Sequence, residues 1–118
     1  MSFAAAQYRA ARVETASPAW IVVQLYDGAI RFLTEAQMAT ESGDTKRRAN
    51  ALRRCHAIVG ELQASLDHSH APELCQDLER LYDFVLWRVS EATSTTDPAF
   101  VQPAINVMCE MRGAWAEL

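Results

Sequence analysis

Glycine and proline are scarce in this chain of 118 residues, with four of each. That is too few for the many tight turns of an all-β fold. Long apolar runs are missing too: none approaches the roughly 20 residues needed to span a bilayer, so membrane insertion is not expected. Positive charge is not in excess. Eleven Lys and Arg stand against 15 Asp and Glu, a formal net charge of −4, whereas a free-standing nucleic-acid binder carries a basic surplus. Met1 to Ala6 offers no positive segment ahead of an apolar stretch, so no secretory signal is read there. Cysteine is limited to Cys55, Cys75 and Cys109. An odd, widely spaced set fits reduced thiols in a cytoplasm rather than a disulfide framework. Each is expected on an apolar helical stripe, as a small buried hydrophobe.

Chemical motifs are equally sparse. The chain has no His-Glu-x-x-His, no Glu-x-x-His pair, no CxxC, no P-loop and no glycine-rich phosphate cradle. His68 and His70 flank Ser69 beside Asp67, and a solvated loop is favoured over a metal site because no further ligand cluster accompanies them. Lys46, Arg47, Arg48, Arg53 and Arg54 hold five of the eleven basic residues. With the net charge negative, they read as a solvated helix face balanced by acidic neighbours rather than a nucleic-acid patch. Asp77 and Glu79 point in different directions on a helix and form no catalytic dyad. The sequence therefore predicts no enzyme, no cofactor and no metal.

What is present is helix. Half the residues are hydrophobic and 22% are charged, a globular balance. Ser17-Pro18 reads as an N-cap followed by the first helical residue. Apolar residues recur at helical spacing until Ser42-Gly43-Asp44, where Gly43 is a stop and Asp44 or Thr45 caps the next helix. That helix runs to about Leu66, a third from Pro72 to about Ala92, and a last from Asp97-Pro98 to the C-terminus. A short amphipathic stretch, Phe3 to Thr15, precedes them. Short connections make successive helices antiparallel neighbours. The expected fold is all-α: an antiparallel up-and-down four-helix bundle forming one domain over 1–118, with an additional N-terminal cap segment at 1–16 and the bundle at 17–118.

Each helix carries a stripe at i, i+3, i+4, i+7 spacing. The first offers Ile21, Leu25, Phe32 and Ala36 beside Val22, Tyr26, Ala29 and Leu33. The second offers Leu52, Cys55, Val59, Leu62 and Leu66. The third offers Leu74, Leu78, Leu81, Tyr82, Val85 and Val89, and the fourth Val101, Ile105, Met108, Met111, Trp115 and Leu118. On the first helix Gln24, Asp27, Arg31 and Glu35 mark the wet face, with Asp27–Arg31 and Arg31–Glu35 at pairing distance along the helix. Trp20, Val23, Ile30 and Met38 share that wet arc. On the third, Trp87 lies nearly opposite Leu78 and Val85, and Phe84 sits at the stripe's edge. Scattered exposed apolar groups are ordinary, but two tryptophans with Val23, Ile30 and Phe84 exceed scatter and point to a partner-binding or self-association surface. An amphipathic helix laid in a groove is a suitable partner.

One enzyme-like reading is open. His56, followed by Gly60, weakly resembles a histidine-phosphotransfer domain, in which an exposed helical histidine accepts a phosphoryl group. Such domains carry a lysine three residues after the histidine, and here that position is Val59. A partly buried, hydrogen-bonded His56 at the border of the core stripe is the plainer reading.

The run Tyr8-Arg9-Ala10-Ala11-Arg12-Val13-Glu14-Thr15-Ala16-Ser17-Pro18 and the later Leu25-Tyr26-Asp27-Gly28-Ala29-Ile30 resemble the bacterial flagellar secretion chaperone family FliS. So do Glu61 to Asp67, Leu81-Tyr82-Asp83-Phe84, Glu91-Ala92 and Ala114-Trp115, in order along nearly the whole chain. The resemblance implies a cytoplasmic, non-catalytic helical-bundle chaperone, monomeric or weakly dimeric. It implies binding to the C-terminal helical region of flagellin, prevention of its polymerisation, and delivery to the flagellar type III export apparatus. The partner segment is expected to wrap the bundle, and the N-terminal segment, with Tyr8, to cover part of that surface in its absence. The surface is expected to include Val23, Tyr26, Ile30, Phe84 and Trp87. The chain departs from the family pattern where Ala71-Pro72 replaces a frequent Gly-Gly, Ala92-Thr93 an Ala-Asn, and Gln102-Pro103 an acidic pair. Pro103 should make the last helix start late or kink.

Overall fold

Turn and cap chemistry fixes where the helices end. The computed structural model describes residues 18–69 and 71–117. Within them lie α1 (Ala19–Glu41), α2 (Thr45–Ala64), α3 (Pro72–Ala92), a 3₁₀ turn (Pro98–Val101) and α4 (Gln102–Ala116). Pro18 takes the cap position of α1, and its carbonyl accepts from the amides of Ile21 and Val22 at 3.0 and 3.2 Å. The helix thus begins one residue later than the Ser17-Pro18 pair suggested; Ser17 lies outside the described residues. Gly43 closes α1 with φ +73°, a left-handed conformation that glycine adopts without steric penalty. Asp44 then caps α2, its carboxylate accepting from the Arg47 amide at 3.1 Å.

Ala71 precedes α3 in the left-handed region, at φ 46°. This is the place where the family resemblance puts glycine, and the backbone supplies the reason. Asp97 caps the 3₁₀ turn by accepting from the Ala99 amide at 3.0 Å. Pro103 falls in the first turn of α4, where an amide has no intrahelical acceptor to lose. The expected late start is therefore the outcome.

α1 packs on α2 and α4, and α3 packs on the same two helices, so α1 and α3 occupy opposite corners of the bundle. The core between them holds Val22 and Leu33 of α1, Leu52, Val59 and Leu62 of α2, Leu78 and Val85 of α3, and Met108, Met111 and Trp115 of α4. Removing such large side chains from water contributes roughly 1.5–3 kcal/mol each. The predicted stripes match this core, with edge exceptions. Ile21, Leu25, Phe32 and Leu74 are half-buried and Leu81 is exposed, because each sits a step round its helix from the central line. Leu118 lies outside the described residues.

Two expectations need correction. Cys55 and Cys75 are buried, but Cys109 is exposed. It lies one residue, about 100°, round from Met108, on the outer side of α4. Tyr26 was expected on the partner surface, yet it is 0% exposed. Its hydroxyl meets that of Tyr82 at 2.5 Å across the diagonal of the core, with the rings' centroids 6.4 Å apart. A phenol so enclosed is a core residue whose polar tip is satisfied internally.

Candidate partner-binding surface

The remaining apolar candidates are open to water to different degrees. Trp87, on the outer side of α3, is 54% exposed. Its ring lies 6.4 Å from that of Phe100, which the 3₁₀ turn brings alongside. Arg88 threads between the rings, its guanidinium 4.5 Å from the centroid of Phe100 and 5.7 Å from those of Phe84 and Trp87. Its Nη1 donates to the Phe100 carbonyl at 3.0 Å, while Nε is buried with no acceptor among the described residues. The aromatic faces supply the compensating attraction, so Trp87 is presented from a stiff platform. Phe84 is half-buried at its edge.

On α1, Trp20 is 64% exposed. With Ala19, Val23 and Gln24 it lines a shallow hollow against Trp115 and Ala116 at the end of α4. Ile30 is half-buried further along α1. Because α1 and α3 are diagonal, Val23 and Ile30 form one patch and Phe84 and Trp87 another, rather than the two sides of one groove. Tyr8 lies outside the described residues. Phe100 and Arg88 were not anticipated. The Phe84–Arg88 spacing of four residues was visible, but the return of Phe100 across a loop leaves no periodic trace.

The wet face of α1 is organised across helices rather than along one. Asp27 accepts from Arg112 Nε at 2.8 Å, which raises the Arg112 pKa further. Glu35 accepts from Arg47, and that hydrogen bond holds its carboxyl below the ordinary carboxylate value. Arg31 lies over the Phe32 ring instead, 5.2 Å from its centroid. Among the basic residues of α2, only Arg47 has a carboxylate partner among the described residues; Arg48 donates to the Thr95 carbonyl and Arg53 to Asn50 Oδ1.

His56 is exposed, which corrects the expectation of partial burial, while Val59, at the position where phosphotransfer domains carry lysine, is buried. Exposure follows from its place one residue beyond Cys55 on the core line. His68 stands 3.8 Å from Glu79, and His70 lies outside the described residues. No group of three or more His, Cys, Asp and Glu among the described residues could hold a metal ion. No described helix is long and apolar enough to cross a membrane.

Comparison with known proteins agrees with this geometry. The family model described as flagellar protein FliS matches residues 1–118. The flagellar secretion chaperone FliS of Salmonella typhimurium is 28% identical over 107 residues, covering 90% of this chain and 79% of that protein. The corresponding protein of Vibrio cholerae is 26% identical over 107 residues, 91% of this chain and 79% of its own. That of Bacillus subtilis is 26% identical over 110 residues, 93% and 81% respectively. An all-α bundle with apolar side chains left outside its filled core, matched by the family model from first residue to last, belongs to the FliS family of flagellar secretion chaperones.

Proposed function

We propose that this protein is a cytoplasmic, non-catalytic export chaperone that binds the C-terminal helical region of flagellin. In this reading it prevents premature polymerisation and aids delivery to the flagellar type III export apparatus. One domain over 1–118 carries the activity, with the bundle at 17–118 and a cap segment at 1–16. Tyr8 and its neighbours cover part of the docking surface until flagellin arrives. The protein acts as a monomer or weak homodimer.

The observation that carries the reading is apolar surface left outside a core that is already full. Trp87 and Trp20 stand largely in water, flanked by half-buried Phe84, Val23 and Ile30. Amphipathic helices that polymerise through their apolar faces need such surface to cover them. The patches sit on diagonal helices, which suits a long segment wrapping the bundle better than a single helix in one groove. A segment that orders as it binds has a large contact area and modest affinity per unit area.

Isothermal titration calorimetry of the full chain with a C-terminal flagellin segment tests this. Saturable binding with a Kd of about 10 μM or tighter is expected, together with a negative heat-capacity change from apolar burial. Absence of binding at tens of micromolar protein would overturn the assignment of flagellin as partner.

A further inference from the structure

Charge along this chain is strongly segregated. Residues 45–60 carry five basic side chains and no acidic one, which leaves six basic and fifteen acidic residues, net −9, for the rest of the chain. Those sixteen residues are most of α2. Lys46, Arg48, Arg53 and Arg54 have no carboxylate within ion-pair distance among the described residues. Of the five, only Arg47 is paired with an acid, Glu35, among the described residues.

The same helix borders an open groove. Ala49, Leu52, Arg53 and Ala57 of α2 face Val89 and Ser90 of α3 and Thr93 just beyond it, with His56 on the rim. Its floor is apolar. Its walls are small: Ala49 and Ala57 lie two turns apart, about 12 Å along the axis, and Ser90 and Thr93 stand opposite. Small side chains let another backbone approach closely. None of these residues belongs to the two aromatic patches described above.

We infer that the groove between α2 and α3 is a second docking site, and that its occupant is an acidic amphipathic helix of a partner protein. Its small and apolar residues would rest on exposed Ala49 and Ala57, above the buried Leu52 and Val89. Its flanking carboxylates would meet Arg53 and, two turns back on the same face of α2, Lys46. Arg54 is turned away, over the Phe32 ring of α1. Complementary charge steers such an encounter and fixes its direction, while exposed Ala49 and Ala57 supply the apolar contact and let the helix approach closely. A basic or neutral helix gains only that contact. Nucleic acid gains only the charge, against the acidic remainder of the molecule.

The test uses the full chain and two fluorescein-labelled helical peptides of about 18 residues. Both carry Ala and Leu along one face, flanked in one peptide by Glu and in the other by Lys. Fluorescence anisotropy should show the Glu peptide binding at least about tenfold more tightly than the Lys peptide at low salt, with the gap closing as salt rises. Arg53→Glu should weaken the Glu peptide by about tenfold or more. Ala57→Trp, which fills the groove, should remove binding while circular dichroism stays that of the parent. Trp87→Ala, on the aromatic patch, should leave it unchanged. Equal binding of the two peptides, or unaltered binding to the Ala57→Trp variant, would overturn the proposal. So would displacement of the Glu peptide by single-stranded RNA with higher affinity, which would give the basic face to nucleic acid.

Discussion

Replacing Trp87 by alanine separates the two jobs that apolar side chains do in this bundle. A tryptophan presents up to about 250 Å², so an exposure of 54% leaves roughly 130 Å² for a partner to cover. At about 25 cal/mol per Å² the ceiling is ~3 kcal/mol, and partial coverage brings it to about 2 kcal/mol, or roughly thirtyfold in Kd. That is the range of an aromatic anchor at a binding interface. The other half of the ring already packs against Phe100 and Arg88, so the variant also loses about 1–2 kcal/mol of stability. Leu33→Ala is the control. Leu33 is 0% exposed, so its truncation should cost about 2–5 kcal/mol of stability and leave the affinity of the folded fraction unchanged. Urea unfolding gives the stabilities, and calorimetry with a C-terminal flagellin segment gives the affinities. Trp87→Ala binding within about twofold of the parent would refute the reasoning, because a hot-spot ring cannot be removed silently.

The remaining predictions concern the frame that holds these surfaces. Gly43→Ala should lower stability by about 1 kcal/mol, since a side chain at φ +73° is strained even though an added Cβ there meets nothing. Ala71→Gly should raise it by up to about 1 kcal/mol for the converse reason. Urea midpoints check both, and the reverse order would contradict the left-handed assignments. In the native protein Ellman's reagent should find one fast thiol, Cys109. Cys55 is buried with its thiol pushed up to about 12, and Cys75 is buried with its sulfur donating to the Asp67 carbonyl. Two fast thiols would place a second cysteine at the surface. Glu35 titrates below its ordinary 4.5 because it accepts a hydrogen bond from Arg47. Its folded-state pKa is therefore lower than its unfolded one, so its contribution to stability is present above 4.5 and is lost as pH falls through the lowered value. Glu35→Gln should flatten the fall of the thermal midpoint below about pH 5, and an unchanged acid profile would show that the pair contributes nothing.

The helices and their order are written locally, and local features could be read. Gly43 and Asp44 stand where a left-handed stop and a cap are needed. The stripe Leu52, Cys55, Val59, Leu62 is the core line of α2 without exception. What depends on the meeting of distant segments could not be read. Tyr26 and Tyr82 are 56 residues apart, and nothing in the spacing of either helix announces that their hydroxyls meet. A helical wheel gives the angle of Tyr26 but not what stands opposite, so the sequence places it equally well in the core stripe and on the surface. The same limit moved Asp27 and Glu35 from neighbours on their own helix to Arg112 and Arg47. Trp87 was legible as outward-facing, but the cage of Phe100 and Arg88 that steadies it was not.

If exposed apolar side chains on α1 and α3 seat the C-terminal region of flagellin, binding must cover Trp20 and Trp87. Hydroxyl-radical footprinting of the full chain, free and saturated with that segment, tests it most directly. Oxidation of Trp87 and Trp20 should fall together on binding while exposed Cys109, on the outer side of α4, stays reactive. Unchanged oxidation of both tryptophans in a saturated complex would contradict it.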